Sequence, residues 1–88
     1  MYEKEIVIVN ETGLHARPAT EFVQLAGTFA STITLRHAEN ERAFNAKSIL
    51  MVLSMGLDKG AAVTLSAQGP DEREAVEALS ALVAGFKD

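Results

Sequence analysis

The stretch Gly13-Leu14-His15-Ala16-Arg17-Pro18-Ala19-Thr20 holds the residue types and spacing that could do chemistry in this chain. Pro18 has no N–H, so a helix that contains it must begin just before it, in the first turn, where that N–H has no partner to lose. His15 then stands at or next to the N-cap. A helix start presents unpaired backbone N–H groups and a partial positive charge, which together favour an anion. Arg17 stands two residues past the histidine, and Gly13 frees the approach of the preceding loop. A neutral imidazole is a nucleophile, and a helix N-terminus and a guanidinium both disfavour its cation. Once the ring carries a phosphoryl group, the N–H groups of Ala16 and Arg17 and the guanidinium can bind the new oxygens. Phosphoryl transfer through His15 is the chemistry this pattern allows. The same residues also fit a plainer arrangement, with His15 as a helix cap and Arg17 as a solvated charge.

The elements that position this stretch follow from hydrophobic period. Residues 4–9 alternate, with Ile6 and Ile8 on one face and Val7 and Val9 on the other. With both faces apolar, the pattern predicts a strand inside a sheet rather than at its edge. Asn10 to Gly13 form a turn-rich break. Ala19, Phe22, Val23, Ala26 and Ala30 recur at helical spacing and predict an amphipathic helix over about 16–28. Thr32 to Arg36 alternate as a half-buried strand, and residues 38–42 read as a hairpin connection to a short strand near 43–46. Ser48 is a good N-cap for the apolar segment Ile49–Met55, which Gly56 stops. Ala61 to Ala67 predict another strand, with Val63 and Leu65 on one face. After Gly69-Pro70, Asp71 with Glu74 makes a capping-box-like start to a last helix striped by Val76, Leu79, Leu82, Val83 and Phe86. The order β-α-β-β-α-β-α points to an α+β fold, an antiparallel sheet covered on one face by helices.

The chain has 88 residues, which is one small domain, residues 1–88. It is 48% apolar and 23% charged, a balance that fits a compact core rather than disorder. A net charge of −4 argues against nucleic-acid binding. Cysteine is absent, so disulfides and thiolate metal sites are excluded; no metal or cofactor is expected. No apolar run approaches the roughly 18–20 residues of a membrane span, and the N-terminus lacks signal-peptide form. The expectation is a soluble cytoplasmic monomer without membrane insertion.

The octapeptide resembles the active-site signature of the HPr family, the histidine-containing phosphocarriers of the phosphoenolpyruvate:sugar phosphotransferase system. The likeness continues through Ala46-Lys47-Ser48-Ile49, Leu53-Ser54-Met55-Gly56-Leu57, Lys59-Gly60 and Gly69-Pro70-Asp71-Glu72, in register over essentially all 88 residues. It implies an open-faced β-sandwich, a four-stranded antiparallel sheet under three helices. It also implies that Nδ1 of His15 accepts a phosphoryl group from phosphorylated enzyme I and passes it to enzyme IIA, with Arg17 stabilising the group. Such a protein is a co-substrate rather than an enzyme.

Ser48 matches the regulatory serine that HPr kinase/phosphorylase phosphorylates in many bacteria, although relatives without that kinase also carry serine there and a helix cap alone explains it. Ile49, Leu50 and Leu53 share one side of the second helix. Pattern alone makes them core, whereas the resemblance implies that this surface, with Thr20, docks enzyme I and enzyme IIA. Met51 fits either core or an enlarged docking patch, and His37 reads as a surface residue. Other readings are a nitrogen-branch carrier, a regulator acting through its serine-phosphorylated form, and an unrelated phosphatase-like enzyme using Arg17 as an anion clamp. The last lacks a general base near the motif.

Overall fold

The computed structural model describes residues 1–87. Its order is β1 (Tyr2–Val7), α1 (Ala16–Ala26), β2 (Thr32–His37), β3 (Phe44–Asn45), α2 (Ile49–Ser54), β4 (Ala62–Gln68) and α3 (Glu72–Ala84). The strands form one antiparallel sheet in the order β1-β4-β2-β3. Register sorts the side chains. Ile6 pairs with Val63, and Leu35 pairs with Leu65, so these apolar residues share the face that the helices cover. Glu3, Ser66 and Thr34 form one row of the opposite face, and Glu5, Thr64 and Arg36 form the next.

α3 lies across β1, β4 and β2, α1 packs on α3, and α2 packs on α1 and β3. Phe22, Ala26, Val52, Leu57, Val76, Leu79 and Val83 from the helical layer meet Ile8, Ile33, Leu35, Val63 and Leu65 from the sheet in one buried cluster. The element order, the antiparallel sheet and the one-sided helical layer are those the apolar periods called for.

Four local expectations need correction. β1 is an edge strand, not an interior one. Val7 and Val9 stay about half exposed because no helix covers their face, and alternation cannot distinguish an uncovered apolar face from a covered one. α1 ends at Ala26, so Ala30 falls beyond it; its N–H donates to Asp71 Oδ2 at 2.9 Å. Asp71 makes no side-chain cap bond to α3, because its carboxylate accepts instead from Ala30, from the Ser31 N–H at 2.9 Å and from the Ser31 hydroxyl at 2.5 Å. The carboxylate that reaches back at this helix start is Glu72, which accepts from the Gly69 N–H, rather than Glu74. His37 is half-buried, with its ring edge-on to Phe44 at a centroid distance of 6.4 Å.

Candidate functional site

The turn that leads to His15 is built by its own residues. Asn10 is buried; its amide donates to the Gly13 carbonyl at 2.9 Å, and the Gly13 N–H returns a bond to the Asn10 carbonyl at 3.2 Å. Gly13 has φ +72, and a Cβ there would collide with the Leu57 carbonyl and stand 2.8 Å from Asp58 Cα. Glycine is required at this point both by conformation and by close approach. The reward is a second loop, after α2, lying directly on the first. Leu14 N–H donates to the Leu57 carbonyl at 2.8 Å, and Lys59 pairs with Glu11 across the two loops. The Lys59 ammonium, through its hydrogen bond and its charge, holds the Glu11 carboxyl below the usual carboxylate range.

His15 is the N-cap of α1, in extended conformation (φ −131, ψ 167), and its side chain makes no cap bond. The ring is thereby free of the helix and is half-exposed. Its Nε2 lies 2.9 Å from Asp58 Oδ1. Asp58 stands 43 residues away in sequence and was invisible to sequence reasoning. No spacing rule joins two sites brought together by loop packing; only Gly56 and Gly60 mark its loop as a turn. The expectation that no general base stands near the motif is therefore corrected, since the Asp58 carboxylate lies against the ring.

Ala16 opens the helix at φ +50, a left-handed conformation for a residue with a Cβ. Such a conformation costs on the order of 1–3 kcal/mol and persists only when its surroundings impose it. Among the described residues, the N–H groups of Ala16 and Arg17 find no protein acceptor, as expected for the first turn. Arg17 is exposed and, among the described residues, has no hydrogen bond or ion pair. Pro18 and Ala19 are buried and anchor the turn. The arrangement combines an accessible imidazole, two free backbone donors and an uncommitted guanidinium, which suits transient capture of a tetrahedral anion.

Thr20 is exposed on α1, with its hydroxyl donating to the Ala16 carbonyl at 3.2 Å. On α2, Val52 turns into the core, whereas Ile49, Leu50 and Leu53 are 36%, 78% and 40% exposed. The core reading of those three residues is overturned: a six-residue helix has only one inward side, and Val52 occupies it, with Met55 buried just beyond. α2 packs beside α1, so the exposed apolar residues lie in the same helical layer as the His15 turn. Met51 belongs to neither group. It is half-buried at a groove shared with Ile33, Thr34, Asn45 and Lys47. Ser48 is the N-cap of α2, where its Oγ accepts from the Met51 N–H at 3.3 Å.

Comparison with known proteins gives a consistent result. Residues 2–85 match the family described as the PTS HPr component phosphorylation site. The chain is 47% identical over 83 residues to the phosphocarrier protein HPr of Vibrio cholerae serotype O1, covering 94% of this chain and 95% of that one. Among solved structures, HPr from Thermoanaerobacter tengcongensis superposes with a TM-score of 0.90 at 48% identity, over 96% of this chain and 92% of that one. The catabolite repression protein Crh of Bacillus subtilis, described as a swapped dimer, gives a TM-score of 0.74 at 41% identity, over 100% of this chain and 99% of that one.

Proposed function

This chain belongs to the HPr family of phosphotransferase-system phosphocarriers, and from that premise we propose that His15 accepts a phosphoryl group on Nδ1 from phosphorylated enzyme I and yields it to enzyme IIA components during sugar uptake. The observation that carries this reading is His15 at the α1 N-cap, its ring free of the helix, at a helix start where, among the described residues, the N–H groups of Ala16 and Arg17 and the guanidinium of Arg17 have no partner. The protein acts as a cytoplasmic co-substrate, a single domain over residues 1–88 that turns over nothing by itself, and it works as a monomer. Thr20, Ile49, Leu50 and Leu53 form the surface on which enzyme I and enzyme IIA dock, since burying exposed apolar side chains favours association.

Incubation with enzyme I and phosphoenolpyruvate should place one acid-labile, base-stable phosphoryl group on His15. His15→Ala should lose it and keep its fold, because the ring makes no cap bond to α1. Labelling that survives the substitution would sink the carrier reading.

Regulation through Ser48 is a second reading, supported by the likeness to the Bacillus subtilis catabolite repression protein and by the position of Ser48 at a helix start. HPr kinase/phosphorylase is the candidate modifying partner. A phosphate there would face the N-terminal N–H groups of α2 and add nearly two negative charges beside the docking surface.

A further inference from the structure

We infer that Asp58 is a positioning residue for phosphoryl acceptance: it holds the Nε2–H of His15 and so leaves the ring's lone pair on Nδ1. This role rests on the carrier function proposed above and adds to it the device that selects which nitrogen reacts. An ionised carboxylate can only accept hydrogen bonds, so at 2.9 Å from Asp58 Oδ1 the Nε2 atom must be the donor. A neutral imidazole with its proton on Nε2 has its lone pair on Nδ1. The side chain of Asp58 is 83% exposed, but its backbone is closely held. The Asp58 carbonyl accepts from Ala61 N–H at 3.0 Å, the Gly60 N–H donates to Ile8 at 2.7 Å, and Leu57 accepts from Leu14. Lys59 is engaged with Glu11 and leaves Asp58 to the histidine. The absent Cβ of Gly13 lets the Asp58 backbone approach closely enough for this contact.

The reaction balances without any further group. The Nδ1 lone pair forms the new P–N bond while the donor phosphohistidine's P–N bond breaks, and that electron pair returns to the donor nitrogen. The ring of His15 becomes cationic with its Nε2 proton retained. The Asp58 carboxylate, already on that proton, faces the new charge. On delivery the P–N bond to His15 breaks, its electron pair returns to Nδ1 and the neutral Nε2–H ring is restored.

The test compares wild type with Asp58→Ala and Asp58→Asn by 15N NMR of the ring nitrogens in the unphosphorylated protein, and by the rate of phosphoryl acceptance from phosphorylated enzyme I. The ratio of Nε2–H to Nδ1–H tautomer should fall about three- to tenfold in Asp58→Ala, the range expected for loss of one exposed hydrogen bond. Acceptance should slow by a similar factor without loss of thermal stability. Asp58→Asn should restore the tautomer ratio, since its Oδ1 still accepts, while accepting phosphoryl groups more slowly than wild type because no charge faces the ring. An unchanged ratio in Asp58→Ala, or a changed ratio with an unchanged rate, overturns the inference even if wild-type labelling proceeds normally. So does an Asn variant whose ratio is as low as that of Ala. A wild-type protein that takes no phosphoryl group sinks the carrier reading and this role with it.

Discussion

Arg17 stands two residues past His15 and, among the described residues, has no ion-pair partner, so its guanidinium is uncommitted when a phosphoryl oxygen arrives. A charge-assisted hydrogen bond of this kind contributes about 1.5–3 kcal/mol. Arg17→Ala is therefore expected to slow phosphoryl acceptance by about 10- to 100-fold. Its melting temperature should hardly move, because the exposed guanidinium makes no hydrogen bond or ion pair among the described residues. Stopped-flow or quench measurements with enzyme I check the rate, and an unaltered rate would mean that the Ala16 and Arg17 N–H groups suffice. The placement of His15 and Arg17 at the start of α1 was legible in the sequence because Pro18 fixes the helix start locally. Asp58 was not, because its place depends on two loops meeting over Gly13.

In the second helix Val52 is the anchor in the core, Ser48 is the cap, and Ile49, Leu50 and Leu53 face outward. Replacing Ser48 by Asp keeps the helix start, since aspartate is also a good cap and its charge suits the helix dipole. The added charge stands beside the proposed docking surface, and enzyme I and its acceptors are expected to be acidic there. Ser48→Asp should slow His15 labelling by a factor of about two to ten at low salt and less at high salt, with the melting temperature level or slightly raised. Equal rates for wild type, Ser48→Asp and Ser48→Ala across a salt series would leave Ser48 as a cap alone. Element types were readable from period and punctuation, but the side an element exposes was not always so. Val7 and Leu50 are apolar and uncovered because the layer facing them is missing, and no local pattern records a missing layer.

Across the whole molecule, exposed and half-buried carboxylates tie the first strand, its sheet neighbours and α3 together. The Ser66 hydroxyl and Arg36 lower the Glu3 pKa, the Ser31 hydroxyl and Ala30 N–H lower that of Asp71, the Gly69 N–H and the chain's amino terminus lower that of Glu72, and the Tyr2 hydroxyl and Lys4 lower that of Glu77. Each folded pKa lies below its unfolded one. The stability these groups contribute is complete above the ordinary carboxyl range and is lost as pH falls through the folded values. Thermal melts should be flat from neutral pH to about 5 and should drop steeply below about 4, less so in salt; a level melting temperature down to pH 3 would contradict this. A carrier must release what it takes. The most direct measurement is intact-protein and peptide mass spectrometry after enzyme I and phosphoenolpyruvate are added, then again after excess pyruvate. A carrier gains one phosphoryl group, on His15, and loses it when pyruvate drives the transfer backwards. A group found at another residue, or one that pyruvate and enzyme I cannot remove, would contradict phosphoryl carriage by His15.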